Sequence, residues 1–253
     1  MNWKPLQQGE AQLGCFLSMG SAVNAEIIGR AGFDFVVIDL EHGIGSEKDV
    51  LGQLQALSGS GTGAIVRVEC HDRQRVHRIL DLGAHGIMFP RVNNAQEARL
   101  AVAAMRYPPD GVRGVATLVR ASNYGADFGG YQAASKEALL GVLQIETPEG
   151  VANVEEIAAV DGADVLFIGP YDLTQGMGIF REFDHPKFVD ALNKTAAAAN
   201  RHGRTLGILL SSPDDYGRYR DLGFRFITCG SDLGVLTVGA RELSQTLRTA
   251  RGA

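Results

Sequence analysis

Residues 143–178 read LQIETPEGVANVEEIAAVDGADVLFIGPYDLTQGMG, and the way this stretch folds decides the architecture of the whole chain. Its opening run is apolar except for Gln144 and Glu146, which stand two residues apart and therefore point to the same face of an extended strand. A buried strand rarely gives an inward face to a carboxylate. Thr147-Pro148-Glu149 then supplies an N-cap residue, a first-turn proline and an early acid, the marks of a helix start. Glu146 is thereby placed at the C-terminal end of its strand. After that helix a second apolar run, 165–168, breaks at Gly169-Pro170 and delivers Asp172. Adjacent parallel strands lie about 4.8 Å apart, so the two acids can reach one hard divalent cation with Gln144 alongside. Read without an ion, Asp172 caps the turn at Leu173-Thr174-Gln175 and Glu146 is a solvated strand-end acid.

Outward from this stretch the same strand, loop and helix plan repeats. Strands are predicted at 14–19, 35–40, 64–68, 86–89, 139–146, 164–168, 205–210 and 224–229, alternating with helical periodicity that ends in a helix at 236–251. Eight such units over 253 residues predict one α/β domain spanning residues 1–253, a single (β/α)8 TIM barrel, a fold of about 250 residues. The repeat is interrupted at about 107–134, where turns such as Pro108-Pro109-Asp110-Gly111 replace periodicity; a loop this long is expected to be a lid or an interface element. Barrel active sites lie at the C-terminal strand ends. That filter selects Asp39, Glu41, His42, Arg67, His71, Arg91, Gln144, Glu146, Asp172 and Ser231.

Composition narrows the class further. A hydrophobic share of 45% excludes a disordered chain, and a formal charge of -5 without a basic run excludes nucleic acid as the main partner. The N-terminus lacks the apolar core of a signal peptide and no run is long enough to span a membrane, so a soluble, cytoplasmic protein is expected. Cys15, Cys70 and Cys229 form neither a disulfide framework nor a zinc spacing. Gly59-Ser60-Gly61-Thr62-Gly63 precedes a strand instead of following one, so it is a plain connection and not a phosphate loop.

Among the selected residues, His42 follows Asp39 and Glu41 at a strand end, where a carboxylate can orient an imidazole for acid/base work. Arg67 lies inside a barrel strand and must be paired or bound to a ligand; the bland partner is Glu69 or Glu146, the functional one an anionic oxygen. Arg91 follows Pro90 at the rim, facing either the cavity or a subunit interface. The lysines Lys4, Lys48, Lys136, Lys187 and Lys194 fall away from the strand ends, which argues against an imine mechanism. Enolate chemistry assisted by a cation and an arginine is the natural alternative.

At Ile38-Asp39-Leu40-Glu41-His42, Val66-Arg67, Tyr107-Pro108-Pro109 with Gly111 and Arg113-Gly114, Gln144-Ile145-Glu146-Thr147, and Phe167-Ile168-Gly169-Pro170 with Asp172-Leu173 and Met177-Gly178, the sequence resembles the HpcH/HpaI family of metal-dependent (class II) aldolases, especially its 4-hydroxy-2-oxoheptanedioate aldolase branch. The resemblance implies a TIM barrel of the pyruvate/phosphoenolpyruvate-binding type and reversible cleavage of 4-hydroxy-2-oxo acids to pyruvate and an aldehyde. It implies Mg²⁺, Mn²⁺ or Co²⁺ on Glu146 and Asp172, with pyruvate chelating through its carboxylate and keto oxygens beside Gln144, Gly169 and Pro170. It further implies Arg67 on the keto or enolate oxygen, His42 with Asp39 as the acid/base pair, and a homo-oligomer, a hexamer built as a trimer of dimers with exchanged C-terminal helices. Arg91 and Tyr171 depart from the branch pattern, and both bear on the aldehyde. Two other functions are open at this point: an acyl-CoA lyase of the citrate lyase β type, whose members carry an acid where this chain has His42, and a non-catalytic 2-oxo-acid-binding barrel.

Overall fold

The computed structural model describes residues 9–252. Eight parallel strands close into one barrel in chain order: β1 Gln12–Leu17, β2 Phe35–Asp39, β3 Gly63–Arg67, β4 Gly86–Phe89, β5 Leu140–Ile145, β6 Val165–Ile168, β7 Thr205–Leu210 and β8 Phe224–Ser231. β1 and β8 pair in parallel and complete the ring. The expected (β/α)8 architecture is the one observed.

Alternation along each strand divides the core in two. Phe16, Phe35, Val37, Ile65, Met88, Leu140, Val142, Val165, Phe167 and Phe226 fill the barrel interior. Their neighbours one residue away, such as Val36, Ile38, Val66, Phe89, Leu143 and Leu166, face outward against the helices. Phe35 and Phe226 stack at 3.8 Å between centroids, and Gly14 makes room for them, since a Cβ there would lie 2.4 Å from the Phe35 ring. Near the C-terminal end the same inward positions turn polar. Asp39 continues the row of Phe35 and Val37, Arg67 that of Ile65, and Gln144 and Glu146 that of Leu140 and Val142. The period that packs the core therefore also aims the polar groups.

The helices follow the predicted plan: α1 Ala22–Gly29, α2 Glu47–Ala56, α3 Arg73–Asp81 and α4 Ala95–Met105. Asp72 caps α3 by accepting from the Gln74 and Arg75 amides, and Val76, Ile79 and Leu80 bury its apolar face, each side chain contributing about 1.5–3 kcal/mol. A helix, α5 Phe128–Ala138, begins inside the segment expected to be irregular and runs past its end. Gly129 and Gly130 hid it, because two glycines in a first turn lower helix propensity; the Asp127 carboxylate, accepting from the Gly130 amide, supplies the start. Two short helices, α6 Pro148–Ala152 and α7 Val154–Ala158, break at Asn153 where one was expected. α8 Pro170–Gly176, α9 Pro186–His202, α10 Tyr216–Asp221 and α11 Asp232–Gly252 complete the chain.

Residues 107–127 do not cover this chain's own barrel mouth. Arg120 donates to the Leu82 and Leu54 carbonyls, at the C-terminal ends of α3 and α2 and hence at the opposite end of the barrel. The lid alternative is thereby excluded for the chain's own cavity. The segment is anchored by Arg113, fully buried, which pairs with Asp81 at 2.8 Å and lies 4.6 Å and 5.3 Å from the Tyr107 and Tyr131 ring centroids. It exposes Val112, Val115, Leu118 and Tyr124. α11 begins at Asp232, four residues ahead of expectation, and buries only that first residue. Among the described residues no helix is long and apolar enough to cross a membrane.

Candidate active site

At the C-terminal strand ends lies a cavity of about 390 Å³. Every residue to which the resemblance gives a role lines it, as do Tyr171 and Ser231, whereas Glu41, His71 and Arg91 stand outside the lining. Asp39 and Arg67 are register partners on β2 and β3 and both face inward. Adjacent strands thus hold them side by side, and the guanidinium makes a bidentate pair, Nε to Oδ1 at 2.9 Å and Nη2 to Oδ2 at 2.7 Å. Its Nη1 lies 3.0 Å from Glu41 Oε2, and its Cζ stands 5.0 Å from the Phe16 ring centroid. The partners considered from sequence, Glu69 and Glu146, are otherwise engaged: Glu69 binds Arg75. Shared register between β2 and β3 was the signal that identifies Asp39.

The Asp39 carboxylate also accepts the Glu41 and His42 backbone amides, at 3.1 Å and 3.2 Å. It fixes the loop that carries His42, and its contact with His42 is to the backbone and not to the ring. The imidazole is 67% exposed at the cavity edge, with Nε2 3.9 Å from Glu41 Oε2. Burial, opposed by Arg67 and His42 and reinforced by Asp39 and Asp172, raises the Glu41 carboxyl above its usual range.

Across the mouth, Glu146 is 4% exposed and held by two donors. The Arg91 backbone N–H gives to Oε1 at 2.8 Å, and Gln144 Nε2 gives to Oε2 at 2.9 Å. Burial pushes this carboxyl up to about 7; the Arg91 amide and Arg67 act against the rise, while Glu41 and Asp172 add to it. Gly169 follows β6 directly, and a Cβ there would fall 2.4 Å from Glu146 Oε2, so the Gly-Pro break makes space for the carboxylate. Pro170 then starts α8 and delivers Asp172 in its first turn. Gly169, not Asp172, occupies the N-cap, and the Asp172 carboxylate makes no hydrogen bond to a described residue. Tyr171 lines the wall, its ring edge-on to Phe183 at 5.6 Å with Arg181 Cζ 5.9 Å from its centroid. Arg91 contributes its amide, while its side chain is exposed outside the lining.

Among the described residues no three His, Cys, Asp or Glu side chains form a preformed metal cluster. The oxygen donors nonetheless fit a hard divalent cation. A carboxylate only accepts, so Gln144 must turn its Nε2 to Glu146, which leaves its buried Oε1 without a hydrogen-bond partner. That oxygen, the buried Glu146 and the free Asp172 are ligands of the type Mg²⁺ or Mn²⁺ takes, with positions open for water and substrate. Asp39, Glu41 and Glu146 face one guanidinium, Arg67, and Asp172 adds its charge beside Glu41 and Glu146, so the mouth carries an excess of negative charge that a dication offsets.

The family model described as HpcH/HpaI aldolase/citrate lyase matches residues 12–238. The chain belongs to the HpcH/HpaI aldolase/citrate lyase family. A relative from Salmonella arizonae, 5-keto-4-deoxy-D-glucarate aldolase, is 38% identical over 239 residues, 94% of this chain and 93% of its own. The crystal structure of an HpcH/HpaI family protein from Burkholderia cenocepacia J2315 is 35% identical with a TM-score of 0.89, covering 94% of this chain and 95% of its own. An HpcH/HpaI aldolase from Desulfitobacterium hafniense DCB-2 gives the same TM-score, 0.89, at 26% identity, with 94% and 93% covered. Membership makes the chain a carbon–carbon lyase of a divalent-metal-dependent family.

Sequence reasoning left several cavity residues unremarked. Phe16 and Ser18 at the β1 end, Leu209, Leu210 and Ser211 at the β7 end, Gly230 near the end of β8 and Gly234 at the start of α11 all line the cavity. The inward register of Phe16 and Leu209 was a usable signal, but the apolar or small side chains of this group carry no chemical one.

Proposed function

We propose that this enzyme is a metal-dependent pyruvate aldolase that reversibly cleaves 4-hydroxy-2-oxo acids. The observation that carries the proposal is the pairing, across one cavity, of a hard-cation donor set (Glu146, Asp172, Gln144) with a buried guanidinium, Arg67, and an exposed imidazole, His42. No described lysine lines that cavity, which leaves an imine route without its nucleophile.

Bound to Glu146 and Asp172 beside Gln144, a divalent cation supplies electrophilic polarisation of the substrate's 2-oxo group. His42 takes the proton of the 4-hydroxyl, and the electrons of the C3–C4 bond pass toward the 2-oxo oxygen as the aldehyde leaves. Arg67 stabilises the negative charge that builds on that oxygen; Asp39 occupies Nε and Nη2, so Nη1 is the edge nearest free for substrate once Glu41 yields it. The proton held by His42 is then returned through water to C3 of the enolate, which completes pyruvate and restores the neutral imidazole. Gly169 and Pro170 leave space for the pyruvate moiety next to Glu146.

The name of the Salmonella relative points to the substrate class. Numbered from its other carboxylate, 5-keto-4-deoxy-glucarate is a 4-hydroxy-2-oxo diacid, and retro-aldol cleavage of that skeleton releases pyruvate and an acidic aldehyde. Tyr171 on the wall, and Arg91 with its side chain exposed outside the lining, are proposed to meet the far end of the acceptor. A homo-oligomer, a hexamer built as a trimer of dimers, belongs to the same proposal: α11 exposes Leu236, Leu243 and Leu247 at helical spacing, and α1 exposes Val23 and Ile27.

Chelation tests the reading. Treatment with EDTA should abolish pyruvate release from a 4-hydroxy-2-oxo acid, Mn²⁺ or Mg²⁺ should restore it, and borohydride with pyruvate should trap no adduct. Full activity in metal-free enzyme, or a reduced lysine adduct, would refute it.

A further inference from the structure

His71 lies in the loop after β3, outside the cavity lining, and no step above uses it. Its Nε2 stands 3.1 Å from the Pro90 carbonyl oxygen, and its ring packs edge-on to Phe89 at 5.7 Å. A carbonyl only accepts, so Nε2 carries the hydrogen in this contact. Pro90 C=O and Arg91 N–H are the two ends of one peptide group, and the Arg91 end is the one that gives to Glu146 Oε1 at 2.8 Å. Arg91 holds a left-handed φ of 51°, which is unfavourable for a side-chain-bearing residue. This peptide therefore needs support from its surroundings to keep its N–H aimed at the carboxylate. Val92 anchors one side by giving to the Gln144 carbonyl at 3.1 Å, and His71 anchors the other.

We propose that His71 is a positioning residue for the divalent cation, acting on Glu146 through the Pro90–Arg91 peptide. Two effects act together. The hydrogen bond received by the Pro90 oxygen fixes the peptide plane, and it polarises the amide so that the N–H at the far end is a stronger donor. Gln144 grips the other carboxylate oxygen from within β5, so the Arg91 amide is the donor whose aim depends on a different strand end. Partners one bond removed from a metal ligand set both its orientation and its affinity. The inference rests on the cation reading of Glu146 given above.

Calorimetric titration of the full-length protein with Mn²⁺ alone tests it, comparing wild type with Glu146→Gln, His71→Phe and His71→Gln. Phenylalanine keeps the edge contact with Phe89 and removes the donor, whereas glutamine places an N–H near the position of Nε2. Wild type should bind, Glu146→Gln should lose binding, His71→Phe should raise Kd about three- to tenfold, and His71→Gln should stay within about twofold of wild type. His71→Asn, polar but too short to reach Pro90, should repeat the loss and serves in place of His71→Phe should that variant not fold. Wild-type affinity in His71→Phe and His71→Asn while Glu146→Gln fails to bind would overturn the positioning role alone. Equal weakening in His71→Gln and His71→Phe would assign the effect to packing and overturn it as well. Wild-type affinity in Glu146→Gln would remove the cation reading and this inference with it.

Discussion

Replacing Arg67 by methionine separates what this residue does for the fold from what it does for the reaction. Its side chain is 11% exposed and that of Asp39 is 3% exposed, and their two hydrogen bonds measure 2.7 Å and 2.9 Å. Breaking a buried pair by removing one partner costs about 3–5 kcal/mol, because the remaining charge stays desolvated. Here two carboxylates, Asp39 and Glu41, are left facing each other. Arg67→Met should lose stability in that range, a loss that a domain of about 5–15 kcal/mol survives. Neutralising the second partner should reverse much of it, since the side-chain amide oxygen introduced by Asp39→Asn can still accept the Glu41 and His42 amides while the unpaired charge is gone. The double variant should therefore recover at least about 2 kcal/mol over the single one in urea denaturation. Activity should not follow. Losing one donor to a developing oxyanion costs about 10²–10³ in rate, and the double variant should remain that slow. Additive stability losses would refute the buried-pair argument, and a double variant that regained pyruvate release would refute the role of Arg67 on the enolate oxygen.

His42→Ala should leave stability within about 0.5 kcal/mol, as its ring is largely exposed, yet slow cleavage about 10² to 10⁴-fold, or roughly 3–5 kcal/mol. A loss under about tenfold with Mn²⁺ bound, measured by pyruvate release, would take the acid/base role away from it. A separate expectation concerns acid stability. Burial first, with the charge of Arg120 adding to it, holds the His85 imidazole down at about 4 from an ordinary 6.5, and its Nδ1 accepts the Ala64 amide at 3.0 Å. Between those values the unfolded chain binds a proton that the native state refuses, so this contribution is complete above about pH 6.5 and is lost as pH falls toward 4. His85→Asn keeps an acceptor near Nδ1 and cannot titrate. It should shrink the difference in unfolding free energy between pH 7 and pH 4.5 by about 2 kcal/mol, and an unchanged difference in urea denaturation would count against the assignment.

The residues that could be read in advance share one property: each breaks a regularity that the core imposes. Along β5 the inward row runs Leu140, Val142, Gln144, Glu146, and the change from apolar to polar at the same period announces both a strand end and a site. Asp39 after Val37 and Arg67 after Ile65 do the same, and Gly169-Pro170 marks the turn that delivers Asp172. What escaped the sequence obeys a different logic. α5 was hidden because Gly129-Gly130 mimics a turn, and only the Asp127 cap, a contact that periodicity does not register, distinguishes them. The course of residues 107–127 along α3 to the opposite end of the barrel depends on where Arg120 and Arg113 land, on carbonyls and on Asp81, which no local pattern specifies. The link from His71 to Glu146 was the least legible, because it runs through a peptide group, and a peptide group is the same at every position. Side chains that meet the substrate must differ chemically from the core and so appear in the sequence. A residue that works by aiming a backbone amide needs only reach and a donor, so its identity can vary while its geometry cannot. For this barrel, the search for further determinants of cation binding should therefore follow the hydrogen bonds of Glu146 outward and not the list of conspicuous side chains.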